Sequence, residues 1–158
     1  MMHTIDLSVT MHNPMDEVVL WCRSAEARQC FPGARNVRGD GTGLFFDVGI
    51  RAPGAAPATV NVNEYVKDYG RAPRGFWFET SQVWTWPSRE CGTSWHLYRF
   101  TQRPGKTTLD FRWRYILPGL AGAQVLSAAR FSRSIERAAE IYVDRLAGRL
   151  AAGVPLAS

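Results

Sequence analysis

The segment from Leu120 to Ala152 restricts the fold of this chain more than any other. Ala128, Phe131, Ile135, Ala139, Tyr142, Leu146 and Leu150 recur at steps of three or four, so they stack along one side of a 3.6-period helix. Arg130, Arg133, Glu136, Arg137, Glu140, Asp144, Arg145 and Arg149 occupy the other side in a solvated pattern. A helix this long with a single apolar stripe needs a broad apolar surface to lie on. The residues before it read as a string of strands able to supply one.

From His3 to His12 the chain alternates strictly, with Ile5, Leu7, Val9 and Met11 on one face and Thr4, Asp6, Ser8 and Thr10 on the other, the signature of a half-buried strand. Asn13 then offers an N-cap, Pro14 a first helical residue, and Asp16 and Glu17 place acids in the first turn, where the helix dipole favours them. A short helix through Val18, Val19 and Trp21 is expected, then another from Ser24 to Cys30, ended by Phe31-Pro32-Gly33. Strands at 34–38 and 42–51 are joined by the Gly39-Asp40-Gly41 turn, with Leu44, Phe46, Val48 and Ile50 on one face. After a Pro-, Gly- and Ala-rich loop at 52–58, Thr59 to Lys67 alternates again with Val60, Val62 and Val66 inward, which carries Glu64 inward too. We read Tyr69 to Arg74 as a turn region, followed by a strand from Gly75 to Trp86 that shows Phe76, Phe78, Trp84 and Trp86 on one face, Thr80 and Gln82 between them.

The clearest hairpin joins Thr93–Gln102 to Lys106–Leu117 through Pro104-Gly105. With those two as the loop, Arg99 lies opposite Asp110, His96 opposite Trp113, Tyr98 opposite Phe111 and Phe100 opposite Leu109. One face is then His96, Tyr98, Phe100, Leu109, Phe111, Trp113 and Tyr115, while Arg99, Asp110, Arg112 and Arg114 point the other way. A slip of one residue would exchange the faces.

At 158 residues the chain fits one domain, 1–158, and can bury roughly 70% of its unfolded surface. Its net charge is +5, and of nineteen basic residues only Lys67 and Lys106 are lysines. We attribute the arginine bias to genomic base composition, because a nucleic-acid footprint would gather positive charge on one strip and here the C-terminal arginines are mixed with acids. Cys22, Cys30 and Cys91 lack C-x-x-C spacing, so neither a disulfide framework nor a zinc site is indicated. His3, His12 and His96 are too dispersed for a metal triad, and no phosphate cradle or serine elbow occurs. With no signal-like or membrane-spanning run, a cytoplasmic location is expected.

The order of strand, two short helices, about six antiparallel strands and one long terminal helix, giving a sheet of about six to seven strands, resembles the helix-grip fold of the START-like (SRPBCC) superfamily, which includes polyketide cyclases and aromatases. Local likenesses are the strand-to-helix junction Asn13-Pro14-Met15-Asp16-Glu17-Val18, the Phe31-Pro32-Gly33 exit and the Arg-rich terminal helix. A cone-shaped α+β domain with its helices first is the competing architecture, and the long terminal helix speaks against it.

The resemblance implies a curved antiparallel sheet wrapped around the helix, with an apolar pocket of a few hundred Å³ between them. Its expected lining is the inward face: Phe46, Val62, Glu64, Phe78, His96, Tyr98, Phe111, Trp113 and Tyr115, capped by Phe131 and Ile135. Core filling is the plain alternative for the phenylalanines. His96, Tyr98 and Glu64 are the candidate acid–base groups, because a buried polar side chain must find a partner or a task.

The function implied is binding of a small hydrophobic or aromatic molecule, polyketide- or lipid-like. The alternative is aldol cyclisation and dehydration of a polyketide in the same cavity. Against the latter stands the outward face assigned to Arg99, Arg112 and Arg114, which weakens the case for an arginine acting on substrate carbonyls in the manner of aromatase members. A third reading, a chaperone-like or quinone-carrier role, would turn Arg130, Arg133 and Arg137 towards an acidic or membrane surface. No cofactor, metal, nucleic acid or integral membrane association is expected, and homodimerisation is left open.

Overall fold

The computed structural model describes residues 2–50, 57–89, 91–116 and 124–153, with side chains from 133 onward in the last segment. Alternating apolar residues produce seven strands: β1 (Met2–Met11), β2 (Ala34–Gly39), β3 (Leu44–Ile50), β4 (Ala58–Ala72), β5 (Gly75–Thr85), β6 (Cys91–Arg103) and β7 (Lys106–Ile116). They form one curved antiparallel sheet in the order β1-β7-β6-β5-β4-β3-β2. Helices α1 (Met15–Arg23) and α2 (Ala25–Arg28) carry the chain from one edge strand to the other, and α3 (Gln124–Ala151) follows the sheet. This is the expected helix-grip arrangement.

The β6–β7 hairpin has the anticipated register: Arg103 pairs with Lys106, Arg99 with Asp110, Tyr98 with Phe111 and His96 with Trp113. Tyr98, Phe100, Leu109, Phe111, Trp113 and Tyr115 are accordingly buried. On the opposite face the ion pairs run to other neighbours, Arg112 to Asp6 of β1 at 2.7 Å and Arg114 to Glu79 of β5 at 3.2 Å. These pairs are partly exposed and contribute little.

Two local expectations are corrected. Pro14, not Asn13, is the N-cap of α1, because its φ of −59° and ψ of 149° leave it extended and the helix begins at Met15. Asn13 instead reaches the Glu17 carboxylate at 3.4 Å. The segment 69–74 is mostly strand: β4 runs on to Ala72, and only Pro73-Arg74 turn, with Arg74 at φ 57°. The cause is a bulge between Val66 and Asp68, which shifts the side-chain parity and pairs Tyr69 with Phe78 and Arg71 with Phe76. A strict period of two across 59–74 cannot anticipate such a break. Val66 is 48% exposed, since β3 ends at Leu44 opposite Glu64 and leaves the rest of β4 uncovered on that side.

On α3, Ala139, Tyr142, Leu146 and Leu150 are buried, Ile135 is half-buried, and Val143 joins them. Ala128 and Phe131 lie outside the residues whose side chains are described. Trp21 locks α1 onto this helix: its ring is fully buried and its Nε1 donates to the Leu146 carbonyl at 3.0 Å. Beyond α2, Gly33 takes φ +78° and its Cα faces the Gly49 carbonyl so closely that a Cβ would sit 2.9 Å from that oxygen. Any side chain there would push the α2 exit away from β3.

Candidate functional site: two hollows around a buried ion pair

The inward parity of β4 and β5 aligns Glu64 with Gln82, and β6 continues the row with Ser94. A carboxylate in that position must be compensated, and the compensation comes from α2. Arg28 is 2% exposed and clasps Glu64 with two bonds, Nε to Oε1 at 2.7 Å and Nη2 to Oε2 at 3.0 Å. Its Nη1 donates to the Cys22 carbonyl at 2.6 Å and to the Tyr142 hydroxyl at 3.2 Å.

The network extends in both directions. Gln82 Nε2 donates to Glu64 Oε1 at 3.0 Å, and Gln82 Oε1 accepts from Ser94 Oγ and Trp84 Nε1, each at 3.1 Å. On the other side the Tyr142 and Tyr98 hydroxyls share a bond of 2.9 Å, and the Arg28 guanidinium lies 5.7 Å from the Tyr98 ring centroid. Thus α1, α2, the three strands β4, β5 and β6, and α3 are tied through one polar knot inside an apolar shell.

Burial alone would raise the Glu64 pKa, yet the adjacent Arg28 charge outweighs it and holds the carboxyl below its ordinary value. Burial also disfavours the charge on Arg28, and the Glu64 carboxylate more than restores it. Tyr98 is pushed well above the usual phenol range, chiefly by burial against the help of Arg28. Burial lifts Cys22 to about 12, which keeps its thiol protonated.

His96 is the contrast. It is 1% exposed, and neither ring nitrogen has a hydrogen-bond partner. The ring is packed edge-on against Trp113 at 4.8 Å and Phe111 at 5.3 Å between centroids. Burial depresses its pKa to about 4 despite the nearby Glu64 charge, so the imidazole is neutral at pH 7. Its register partners on either side, Thr80 and Trp113, also hold buried polar atoms without an aligned partner.

Two hollows of about 180 Å³ each flank this centre. The first is lined by Phe31, Trp84, Trp86, Trp113, Tyr115 and Ile135, with Thr93, Ser94 and Ser134 adding hydroxyls to that of Tyr115 and Val48 to Ile50 of β3 on one wall. The second is lined by Arg23, Arg28, Glu64, Thr80 and Phe78, with loop residues 39 and 41–43 at its rim. Gln82 lies between them along β5 and lines neither.

The anticipated site residues therefore separate. Trp113, Tyr115 and Ile135 border the first hollow, and Glu64 and Phe78 the second. Phe46, Val62, His96, Tyr98 and Phe111 are buried in the packed core and line neither. Phe131 lies outside the described side chains. Sequence reasoning missed Arg28, Gln82, Ser94, Trp84 and Phe31. Parity had put Gln82 inward, and an inward Glu64 demands a cation, which was the available signal for Arg28. Among the described residues no group of His, Cys, Asp or Glu side chains could hold a metal ion. Nor is any described helix long and apolar enough to cross a membrane.

No protein-family model and no curated protein sequence matches the chain. Solved structures do. The ZhuI aromatase/cyclase from Streptomyces sp. R1128 superposes with a TM-score of 0.64 at 15% identity, over 94% of this chain and 93% of that one. Ara h 8.0201 matches with a TM-score of 0.56 at 12% identity, over 96% of this chain and 100% of its own. The di-domain ARO/CYC StfQ from the steffimycin biosynthetic pathway matches with a TM-score of 0.57 at 13% identity, over 97% of this chain and 52% of that one. At such identities the likeness establishes the fold alone, the helix-grip fold.

Proposed function

We propose that the protein binds a small planar hydrophobic molecule, an aromatic or polyketide-like compound of one or two rings, in the first hollow. The observation that carries this reading is the wall itself. Trp84 and Trp113 lie nearly parallel, 6.2 Å apart at 20°, and Phe31 presses on both from the α2 exit at 5.9 and 5.4 Å. Such faces favour a flat apolar guest, with Ser94 Oγ, whose hydrogen is given to Gln82, at the edge to accept from a guest hydroxyl. Size sets the ring count: an apolar cavity of about 150 Å³ accommodates benzene, whereas larger drug-like ligands use about 300 Å³ or more.

Binding is favoured over the cyclase alternative by the state of the acid–base candidates. The Glu64 carboxylate is held ionised by Arg28, and the Tyr98 hydroxyl is a weakened acid. His96 has no contact with either hollow. These three groups act, on this reading, as framework.

Titration with hydroxylated naphthalenes, followed by intrinsic tryptophan fluorescence, tests the proposal. Saturable quenching that is lost in Ile135→Trp, which fills the hollow, is the expected result. Absence of saturable binding across one- and two-ring aromatics, with the fold intact, overturns it.

A further inference from the structure

The second hollow differs in chemistry from the first, and its floor has unspent hydrogen-bonding capacity. A guanidinium has five N–H donors. Arg28 directs Nε and one Nη2 hydrogen to Glu64 and both Nη1 hydrogens to Cys22 and Tyr142, leaving one Nη2 hydrogen without an acceptor among the described residues. Glu64 Oε2 accepts only from Arg28, whereas Oε1 accepts from both Arg28 and Gln82. Thr80, 2% exposed, has its hydroxyl against this carboxylate without a well-aligned bond. A spare donor, a spare acceptor and a hydroxyl only loosely engaged with Glu64 in one place match a hydroxyl group, which donates and accepts at once.

The rim adds charge. Arg23, in the last turn of α1, is exposed and makes no ion pair among the described residues. At the floor the charges of Arg28 and Glu64 cancel, which leaves Arg23 as the unbalanced charge among the lining residues, while the Asp40 carboxylate of the rim loop is engaged by Thr42 and Gly43. The fork of Arg23 is suited to a carboxylate. Leu44 and Phe78 supply apolar wall between floor and rim. A volume of about 180 Å³ admits only a small molecule.

We propose that the second hollow is a separate binding site for a small hydroxy acid, its hydroxyl held by Thr80 and Glu64 and its carboxylate by Arg23. This assignment does not rest on an aromatic ligand in the first hollow.

The test is a titration of the full chain, followed by backbone amide NMR, with three probes: 3-hydroxybutyrate, butyrate, which lacks the hydroxyl, and 1,3-butanediol, which lacks the carboxylate. 3-Hydroxybutyrate is expected to shift the amides of Gly39 to Leu44 and of Thr80 while those of Gly92 and Thr93, at the first hollow, stay in place. Loss of one charge-assisted or neutral bond corresponds to about tenfold, so butyrate and the diol should each bind about tenfold more weakly. Arg23→Gln should lower 3-hydroxybutyrate to the diol's affinity without changing the diol. Thr80→Val should lower it to that of butyrate. Equal affinity for the three probes, indifference to Arg23→Gln, shifts confined to the first hollow, or no binding at millimolar probe would each overturn the proposal. Aromatic binding read by tryptophan fluorescence is independent of all of these outcomes.

Discussion

Glu64 and His96 lie on the same inner face, on strands separated only by β5, and both are almost wholly buried. One is ionised and held by Arg28 and Gln82; the other is neutral and bonded to nothing. The difference teaches how this interior handles polarity. Where a charge is enclosed, the chain spends a second charge and a hydrogen-bond network on it. Where only a neutral polar ring is enclosed, the surrounding aromatics shift its protonation equilibrium instead. The first solution ties α2 to the sheet.

The most severe way to break the contrast is to remove one member of the ion pair. Arg28→Met leaves the Glu64 carboxylate buried without its cation, and Glu64→Leu does the reverse to Arg28. Each should destabilise by about 3–5 kcal/mol in denaturant titrations. The double variant Arg28→Met/Glu64→Leu should recover a large part of that loss, since two apolar side chains then fill the space. A single variant that costs less than the double would show that the pair is not the anchor described here.

Next in size is the pH response of His96. Its pKa falls from 6.5 in the unfolded chain to about 4 in the folded one, so between those values the unfolded state binds more protons and stability drops as pH falls. The full loss, at about 1.4 kcal/mol per unit, is on the order of 3 kcal/mol, complete once pH is below about 4. Glu64, whose folded pKa is lowered, adds a separate loss that begins only near its ordinary value of 4.5 and continues below it. Comparison of His96→Leu with the parent across pH 7 to 5 isolates the histidine. The variant's stability should be nearly flat over that range and, with no hydrogen bond forfeited, at least equal to the parent at pH 7. A parallel decline in both proteins would contradict the assignment.

A smaller effect sharpens the boundary of the first hollow. Trp84 Nε1 donates to Gln82 and Ser94, which also bond to each other. Trp84→Phe keeps an aromatic face and leaves those two paired, so it should cost about 1–2 kcal/mol from lost area and one donor. Affinity for a two-ring ligand should fall more than affinity for a one-ring one, because the larger guest uses more of the indole. Fluorescence titration of both ligands against this variant decides it.

Much of the architecture was legible because it is periodic. The β6–β7 register followed from a two-residue loop and alternating parity, and the stripe Ile135, Ala139, Tyr142, Leu146 and Leu150 from a 3.6 period. The site was legible only in its direction. Parity turned Glu64, Gln82, His96 and Tyr98 inward, yet which of them meet depends on α2, a helix of four residues whose phase relative to the sheet no local pattern encodes. Arg28 lies among Ala27, Cys30 and Phe31, where an arginine on a short helix ordinarily reads as solvent-facing. The two hollows were not legible for the same reason: Phe31 and Arg28, which border the first and the second, come from α2 and its exit, not from the strand periodicity. The bulge beside Lys67 shows the limit in a strand, since one extra residue reverses the faces of everything after it.

The finest comparison concerns the two tyrosines that close the network. Tyr98 and Tyr142 share a hydroxyl bond at 2.9 Å, but Tyr142 alone also accepts from Arg28, at 3.2 Å. Tyr98→Phe deletes one bond and leaves Tyr142 with its charged donor, for a cost of about 1 kcal/mol. Tyr142→Phe deletes both and strands an Arg28 hydrogen in an apolar setting, so its cost should be the larger of the two by about another 1 kcal/mol. The double variant should cost less than the sum, because the shared bond is counted in each single change; the coupling in a double-mutant cycle should be about 1 kcal/mol. If the two single variants were equal and additive, the Arg28 contact would contribute nothing and the knot would end at Glu64, leaving α3 held to the sheet by packing alone.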